Sequence, residues 1–567
     1  MLQPLDQQFV NNSSITVNSK DFFDDYILLN HERIEKTSLD VKLCKWIVDF
    51  HVSHNCVNAL LLILRSEGLD LPKDTRTLIK TPKPNDHTII SIHPGSYIHL
   101  GIEFMLSKFI TAHLEHFKND QIQLAMNVDG LPLTSSSKSS LWPILISFVN
   151  VQNVSQTVIP VGLYHGKYKK PTSSNDYLRP FIDEMKHFLS TGITINNNIF
   201  KFELVQVVCD APAKAFVLNV KGHNAYHGCN SCTVEGDFIH NRMAYLDMNA
   251  PLRTDQSFRT KIDEFYHKDV SPLEYLPIDM TSSVVLEYMH NVCLGVMKRL
   301  LAFWVKGNKS VRLDNPEVIS DELNKIKSFF PVEFNRLPRT LEEFEYWKAS
   351  EFRTFLIYTG PIVLKGRIKN SFYKHFMLLS CAIRLLISFK TAYTYNNFAK
   401  MLLRQFVTEY SVLYGKEYVG YNVHGLIHIC DFVLLHGNLD AFSAFKYENY
   451  LQFVKKSCKN ARYPLQDTYN RIIEQINTTS TCTVKKYPIL KNEIDYDPSI
   501  KIEVMKYNTS IVFQNPISSD IIKIFYTHEI IPKPPLTSID VDSIEYKCFS
   551  FPINDHKSIV LALLHST

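Results

Sequence analysis

Two short motifs far apart in the chain restrict its fold more than any other feature, because each is tethered to a carboxylate at nearly the same interval. Cys229-Asn-Ser-Cys232 begins nineteen residues after Asp210, and His424-Gly-Leu-Ile-His428 ends twenty residues before Glu448. Two thiolates and two imidazoles make a closed tetrahedral zinc set, and neither pair completes one alone. A single Zn²⁺ held by all four would pin two distant stretches together and bring Asp210 and Glu448 into one neighbourhood. Gly228 allows the tight turn that a C-x-x-C knuckle needs. Histidines four apart project from the same face of a helix. For either pair taken singly, the plain alternative is buried cysteines or core histidines with no metal.

Bulk properties bound the rest. A chain of 567 residues is too long for one simple core, and two to four domains are expected. Apolar residues at 45% and charged residues at 21% suit a folded chain and exclude wholesale disorder. The net charge of +4, from 61 basic and 57 acidic residues, argues neither for nor against nucleic acid, since a local basic groove fits within a neutral total. Eleven cysteines at irregular spacing do not resemble a disulfide framework, which points to reduced thiols in an intracellular compartment. The first residues carry no basic region followed by an apolar stretch, and no apolar run is long enough to predict a membrane span.

Hydrophobic periodicity divides the chain into five parts: an N-terminal helical region over 1–90, the first part of an α/β core over 91–235, a long helical insertion over 236–419, a core completion over 420–478, and a small β-rich domain over 479–567. Helical spacing is read over Val41–Arg65 and, within the insertion, over Val284–Phe303, and the Thr81-Pro82-Lys83-Pro84 stretch reads as a linker. Within the core, Gly101–Phe117 predicts a helix. Ile122–Val128, Trp142–Val149 and Thr157–Tyr164 predict strands, Tyr177–Leu189 a helix and Phe200–Cys209 a fourth strand. Three strands, a helix and a strand ending in an acid is the order of a ribonuclease-H-like mixed sheet. Chemistry in such sheets gathers at the carboxyl ends of strands. Asp129 lies just past the first strand, and Asp210 just past the fourth.

Three converging acids, Asp129, Asp210 and Glu448, would repel one another unless cations neutralise them. Hard divalent ions such as Mg²⁺ (or Mn²⁺) meet that need with oxygen ligands, and a pair of them supports phosphoryl displacement. Each acid alone has a bland reading as a surface or turn residue; Asp129-Gly130 is itself a turn signal. For backbone phosphates the candidates are Lys167, Lys169 and Lys170 after the third strand, and Lys455, Lys456, Lys459 and Arg462 after Glu448. A solvated basic face is the commoner fate of such runs.

The stretches Met126-Asn-Val-Asp-Gly-Leu-Pro-Leu, Cys209-Asp-Ala-Pro-Ala-Lys-Ala-Phe, Gly228-Cys-Asn-Ser-Cys, Tyr288-Met-His-Asn-Val-Cys-Leu-Gly, Asn422-Val-His-Gly-Leu-Ile-His and Phe445-Lys-Tyr-Glu-Asn-Tyr-Leu together resemble the transposases of CACTA (En/Spm-type) DNA transposons, over roughly residues 40 to 475. The resemblance implies a DDE-type nuclease and strand transferase on a ribonuclease-H-like core, with Asp129, Asp210 and Glu448 as its acids. It implies structural Zn²⁺ at Cys229, Cys232, His424 and His428, double-stranded DNA as partner, a homo-oligomer that cuts two ends together, and work in the nucleus. The Met289-His290 pair also matches the family, and either a site role or helix packing suits His290. Nothing before Asp129 resembles a zinc finger, a helix-turn-helix or a basic tail. The alternative to a working enzyme is a retired copy serving as a DNA- or chromatin-binding protein; decayed copies tend to lose an acid, and all three are present.

Overall fold

The computed structural model describes residues 38–50, 52–83, 88–133, 138–168, 170–331, 333–458, 462–478, 501–504, 508–519, 521–528, 537–540, 548–554 and 557–564. Pro84, Lys169 and Lys459 lie outside the described residues, as do 1–37 and 479–500. The chain is a mixed α/β protein whose centre is an eight-stranded sheet: β1 (Ile89–Ile92), β2 (Gly95–His99), β3 (Gln121–Val128), β4 (Leu131–Pro132), β5 (Ser140–Phe148), β6 (Val158–Gly166), β7 (Ile193–Ile195) and β8 (Asn198–Val208). The order across it is β1-β2-β6-β5-β3-β8-β7, with β4 paired to β5. Only β3 and β8 run parallel; the other neighbours are antiparallel.

The four expected strands and both expected helices of this part are present. The β1–β2 hairpin, and the short β4 and β7, were not foreseen. The centre of the sheet is covered on both faces, which is why β5 and β6 are buried at nearly every position and read as unbroken apolar runs. One cover is the Ser174–Thr191 helix. Its Ser173 cap accepts from Asp176 N, and its apolar stripe runs through Tyr177, Leu178, Phe181, Ile182, Met185 and Phe188. Tyr177 OH donates to Trp142 O at 3.1 Å, tying this helix to β5.

The region over 236–419 is less uniformly helical than its periodicity suggests. It starts with a hairpin of β9 (Asp237–Ile239) and β10 (Arg242–Ala244), followed by loops and one-turn helices. The predicted helix from Val284 begins only at Met289, because Val284 joins the sheet instead. Val207 N donates to Ser283 O (2.8 Å) and Val285 N to Val207 O (3.1 Å), a parallel bridge beside β8. Helices Asn370–Ile387 and Asn396–Tyr414 then pair around Trp304, Phe376, Phe406 and Tyr410, all essentially fully buried. The predicted helix over Val41–Arg65 is two, Leu39–Asp49 and His54–Ser66, which share a small core of Ile47, Val57 and Leu61.

At the C-terminal end, strands β12 (Asn508–Ile511), β13 (Ile524–His528), β15 (Cys548–Asn554) and β16 (Lys557–Ala562) form an antiparallel sheet, while β11 (Lys501–Val504) pairs with β14 (Thr537–Asp540). The four-stranded sheet seals onto the helices. The buried Arg384 guanidinium donates to Ile522 O at 2.6 and 3.1 Å and also to Ile357 O. Among the described residues no helix is long and apolar enough to cross a membrane.

The helical core has a built-in acid sensitivity. His375 is fully buried, with Nε2 3.0 Å from Phe406 O and its ring stacked on Phe406, and burial pushes it down to about 4. Between that value and the unfolded value near 6.5 the unfolded chain binds the extra proton, so this contribution is complete above about pH 6.5 and is lost as pH falls towards 4. The loss amounts to roughly 3 kcal/mol. Urea unfolding of His375→Leu should therefore show a flatter stability profile than wild type between pH 6.5 and 4; parallel profiles would refute the assignment.

Candidate active site and metal centre

The acid site is built at the carboxyl edge of the parallel pair. Asn127 of β3 is in register with Val208 of β8, and Asn127 Nδ2 donates to Val208 O at 2.7 Å. Asp129 and Asp210 each lie two residues beyond these partners, so neighbouring strand ends deliver them side by side. Asp129 Oδ1 accepts from Gly130 N at 2.6 Å, and a side chain on Gly130 would run into the Trp142 ring at 2.8 Å. Asp210 caps the Ala211–Val217 helix through Oδ1, which accepts from Ala213 N at 2.7 Å.

The Val207–Val284 bridge brings a third segment to this edge. Glu287 lies three residues past Val284 as Asp210 lies three past Val207, and His290 follows in the first turn of the π-helical Met289–Met297 segment. Glu448 comes from the first turn of the Phe445–Ser457 helix. That helix is moored to the sheet by a Tyr447 OH–Ser147 Oγ hydrogen bond of 2.7 Å and by Lys446 Nζ donating to Ser155 O at 2.9 Å.

Asp129, His290 and Glu448 each offer a ligand atom within 4.8 Å of the others, a group able to hold a metal ion. His290 Nε2 is 3.9 Å from Glu448 Oε1. Asp210 stands just outside that group, yet it faces it electrostatically. Burial first, then the charges of Asp210 and Glu448, push Asp129 up to about 8, against the pull of His290. His290 is pushed up to about 9: burial opposes its charge, and Glu287 above all, with Asp129 and Asp210, outweighs that.

Glu287, missed by sequence reading, organises the site. Its side chain is only 1% exposed. Oε1 accepts from His290 N (2.8 Å) and meets His290 Nδ1 at 2.5 Å; Oε2 accepts from Met289 N (2.8 Å) and Ala444 N (3.2 Å). One carboxylate thus fixes the imidazole and also the entry of the helix that carries Glu448. The available signal was a lone acid inside the apolar run Val284-Val-Leu-Glu-Tyr-Met289. Also unforeseen is Lys214, buried on the capped helix, whose Nζ donates to Val285 O at 2.6 Å and locks the third segment in place.

The second group is Cys229, Cys232, His424 and His428, all at most 5% exposed. Cys229 Sγ–Cys232 Sγ is 3.6 Å, Cys232 Sγ–His424 Nε2 3.3 Å, Cys229 Sγ–His428 Nε2 3.8 Å and His424 Nε2–His428 Nε2 3.4 Å. A tetrahedral zinc with its usual bond lengths needs about 3.8 Å between sulfurs, about 3.6 Å between sulfur and nitrogen and about 3.3 Å between nitrogens. The donor set fits. The Tyr245 carbonyl accepts from His424 Nδ1 at 3.2 Å, which leaves Nε2 bare towards the cluster. The two histidines do not share one regular helix: His424 ends its turn in Tyr421–Gly425, and His428 caps Ile429–His436. The intervening 3₁₀-like turn, with His428 N donating to Gly425 O, still aims both rings the same way. Gly228 has no room for a side chain, since its Cβ would meet Tyr245 OH at 2.3 Å.

Of the basic candidates, Lys167, Lys170, Lys455, Lys456 and Arg462 are exposed. Lys170 lies over the Phe216 ring, and burial with the neighbouring Lys268 lowers it while Asp210 opposes, which puts it at the acid edge. Lys455 is two helical turns beyond Glu448 on the same face. Arg462 packs over Tyr463. No protein-family model matches the chain, and a search of curated proteins returns no match.

Proposed function

We propose that the chain is a DDE-type DNA nuclease and strand transferase of the kind its CACTA-like motifs imply. The observation that carries this reading is the meeting of Asp129 and Glu448 from distant parts of the chain, with Asp210 on the adjoining strand end. The sheet supports it as well. Strands β6-β5-β3-β8, antiparallel except for the parallel β3–β8 pair, have the order of a ribonuclease-H-like core, with 236–419 as its insertion.

Asp129, Asp210 and Glu448 would hold a pair of Mg²⁺ or Mn²⁺ ions, which would supply activation of the attacking oxygen and neutralisation of the leaving one. Through those ions the three acids would orient the reacting phosphate, and the Glu448 side chain, 35% exposed, lies open to a strand. His290, locked by Glu287, places a positive charge beside Glu448. Lys170 and Lys455, flanked by Lys167, Lys456 and Arg462, hold backbone phosphates of double-stranded DNA on either side without reading bases. Zn²⁺ at the buried Cys₂His₂ set is structural, since four protein donors leave no open position. Two such chains, each holding one DNA end in the nucleus, complete the reading.

The test is nicking of supercoiled DNA and joining of a 3′-hydroxyl end to target DNA. Both should require Mg²⁺ or Mn²⁺ and disappear in Asp210→Ala and Glu448→Ala. Equal activity in wild type and both variants would sink the proposal.

A further inference from the structure

A cleft of about 760 Å³ opens along the helix that starts at Met289. Its walls are hairpin β9–β10, one face of the 289–306 helix, the Phe344–Glu345 turn and the 417–423 loop that leads into the zinc histidines. The lining is basic in effect as well as in count. Of its two carboxylates, Glu345 pairs with Lys306 at 2.8 Å, and Glu417 lies 3.6 Å from the His240 imidazole, outnumbered by Arg242, Lys298 and Arg299. Arg242, Lys298 and Arg299 make no ion pair among the described residues, so three charges face the space. Aromatic rings share the lining. Phe238 is 59% exposed, Arg242 stacks over Tyr418 at 4.9 Å, and Tyr421 lines the floor edge-on to His223.

Unpaired cations beside an exposed aromatic ring are what an unpaired nucleic-acid strand requires: charges for its phosphates, a flat face for its bases. A duplex does not need the rings, and a space of this volume is in the range of about 300–1,000 Å³ that encloses a small ligand rather than a double helix. The cleft also lies near the acid site, since His223 of its lining feels the charge of Asp210. One helix carries His290 into the acids and Lys298 into the cleft, on the order of 10 Å further along its axis. The geometry points to this cleft as the track for the single strand on one side of the scissile phosphate, with Arg242, Lys298 and Arg299 on its backbone and Phe238 and Tyr418 against its bases. The assignment of a scissile phosphate rests on the nuclease reading above; the binding itself does not.

The experiment measures anisotropy of a fluorescent octathymidylate on the full zinc-loaded chain without Mg²⁺ or Mn²⁺, with an eight-base-pair duplex and polyglutamate as competitors. Wild type should bind the single strand in preference to both. Arg242→Ala/Arg299→Ala should weaken it at least tenfold and lower the salt dependence by about 1.4 in log–log slope, about 0.7 for each lost contact. Phe238→Ala, which removes an exposed ring and leaves every charge, should weaken binding roughly fivefold or more. Unchanged binding in the double variant overturns the proposal, and so does equal competition by duplex or polyglutamate. Octathymidylate binding that follows these variants in a chain that never nicks DNA would sink the nuclease reading alone; metal-dependent nicking with octathymidylate binding indifferent to them would sink the cleft alone.

Discussion

Cys232→Ser should cost the chain its structural metal and, with it, both stability and activity. Wild type purified without chelator is expected to carry one zinc per molecule by elemental analysis, and the variant close to none at the same free zinc. Structural zinc sites bind with apparent free energies of about 10–16 kcal/mol at neutral pH, so losing one of four ligands should weaken affinity by more than about 10²-fold. The structural reason is burial. All four ligands are at most 5% exposed, and in the absence of a cation the Cys229 thiol is held well below its usual range, first by the Cys232 thiol, against burial, and then by His424 and His428. Without the ion, a negative sulfur and two imidazoles are left facing one another in a closed space, and that is expensive. The cluster also closes a long loop: Cys229 follows Asp210 by nineteen residues, and His428 precedes Glu448 by twenty. Nicking should therefore fail together with a lower thermal midpoint. A variant that keeps its melting temperature and its zinc would show that the four residues are not a metal site.

Glu287→Gln should keep most of the fold and lose most of the chemistry. The replacement has the same shape, but an amide cannot accept on all sides. Whichever way it turns, its NH₂ meets either the His290 donors or the Met289 and Ala444 amides. In one orientation the imidazole loses the partner that fixes it, and in the other the Ala444 entry to the Glu448 helix comes loose. Misplacement of a reacting group by about 1 Å can cost about 10²-fold in rate, which is the loss expected in nicking turnover. Breaking the buried His290–Glu287 pair should also destabilise by about 3–5 kcal/mol. The two effects separate by assay: DNA affinity measured without divalent metal should stay within a few-fold of wild type while turnover falls. Wild-type turnover in a folded Glu287→Gln chain would remove Glu287 from the site.

Both predictions mark where sequence reading reached and where it stopped. Strands β5 and β6 were legible because a sheet covered on both faces writes itself as unbroken apolar runs, and β3 and β8 because their outer halves alternate before turning fully apolar. The four metal-type residues were legible because their spacing has few other uses. The start of the Val284–Phe303 run was misread, since its apolar pattern suits a buried helix and a buried parallel strand equally until a partner strand is available. Glu287 was overlooked for a related reason: a single acid in an apolar run has no meaning until its donors are known.

The chain by itself determined the acids, the thiols and the imidazoles, and the strand ends that hold Asp129 and Asp210, because alternation, turn chemistry and ligand type are local properties. Only the tertiary structure decided that Asp129 meets His290 and Glu448 and that Asp210 stands one strand away. It also decided that Val284 borrows a place beside β8 and that three cations share one cleft. Those outcomes depend on which distant segments pack together, a choice made by burial across hundreds of residues.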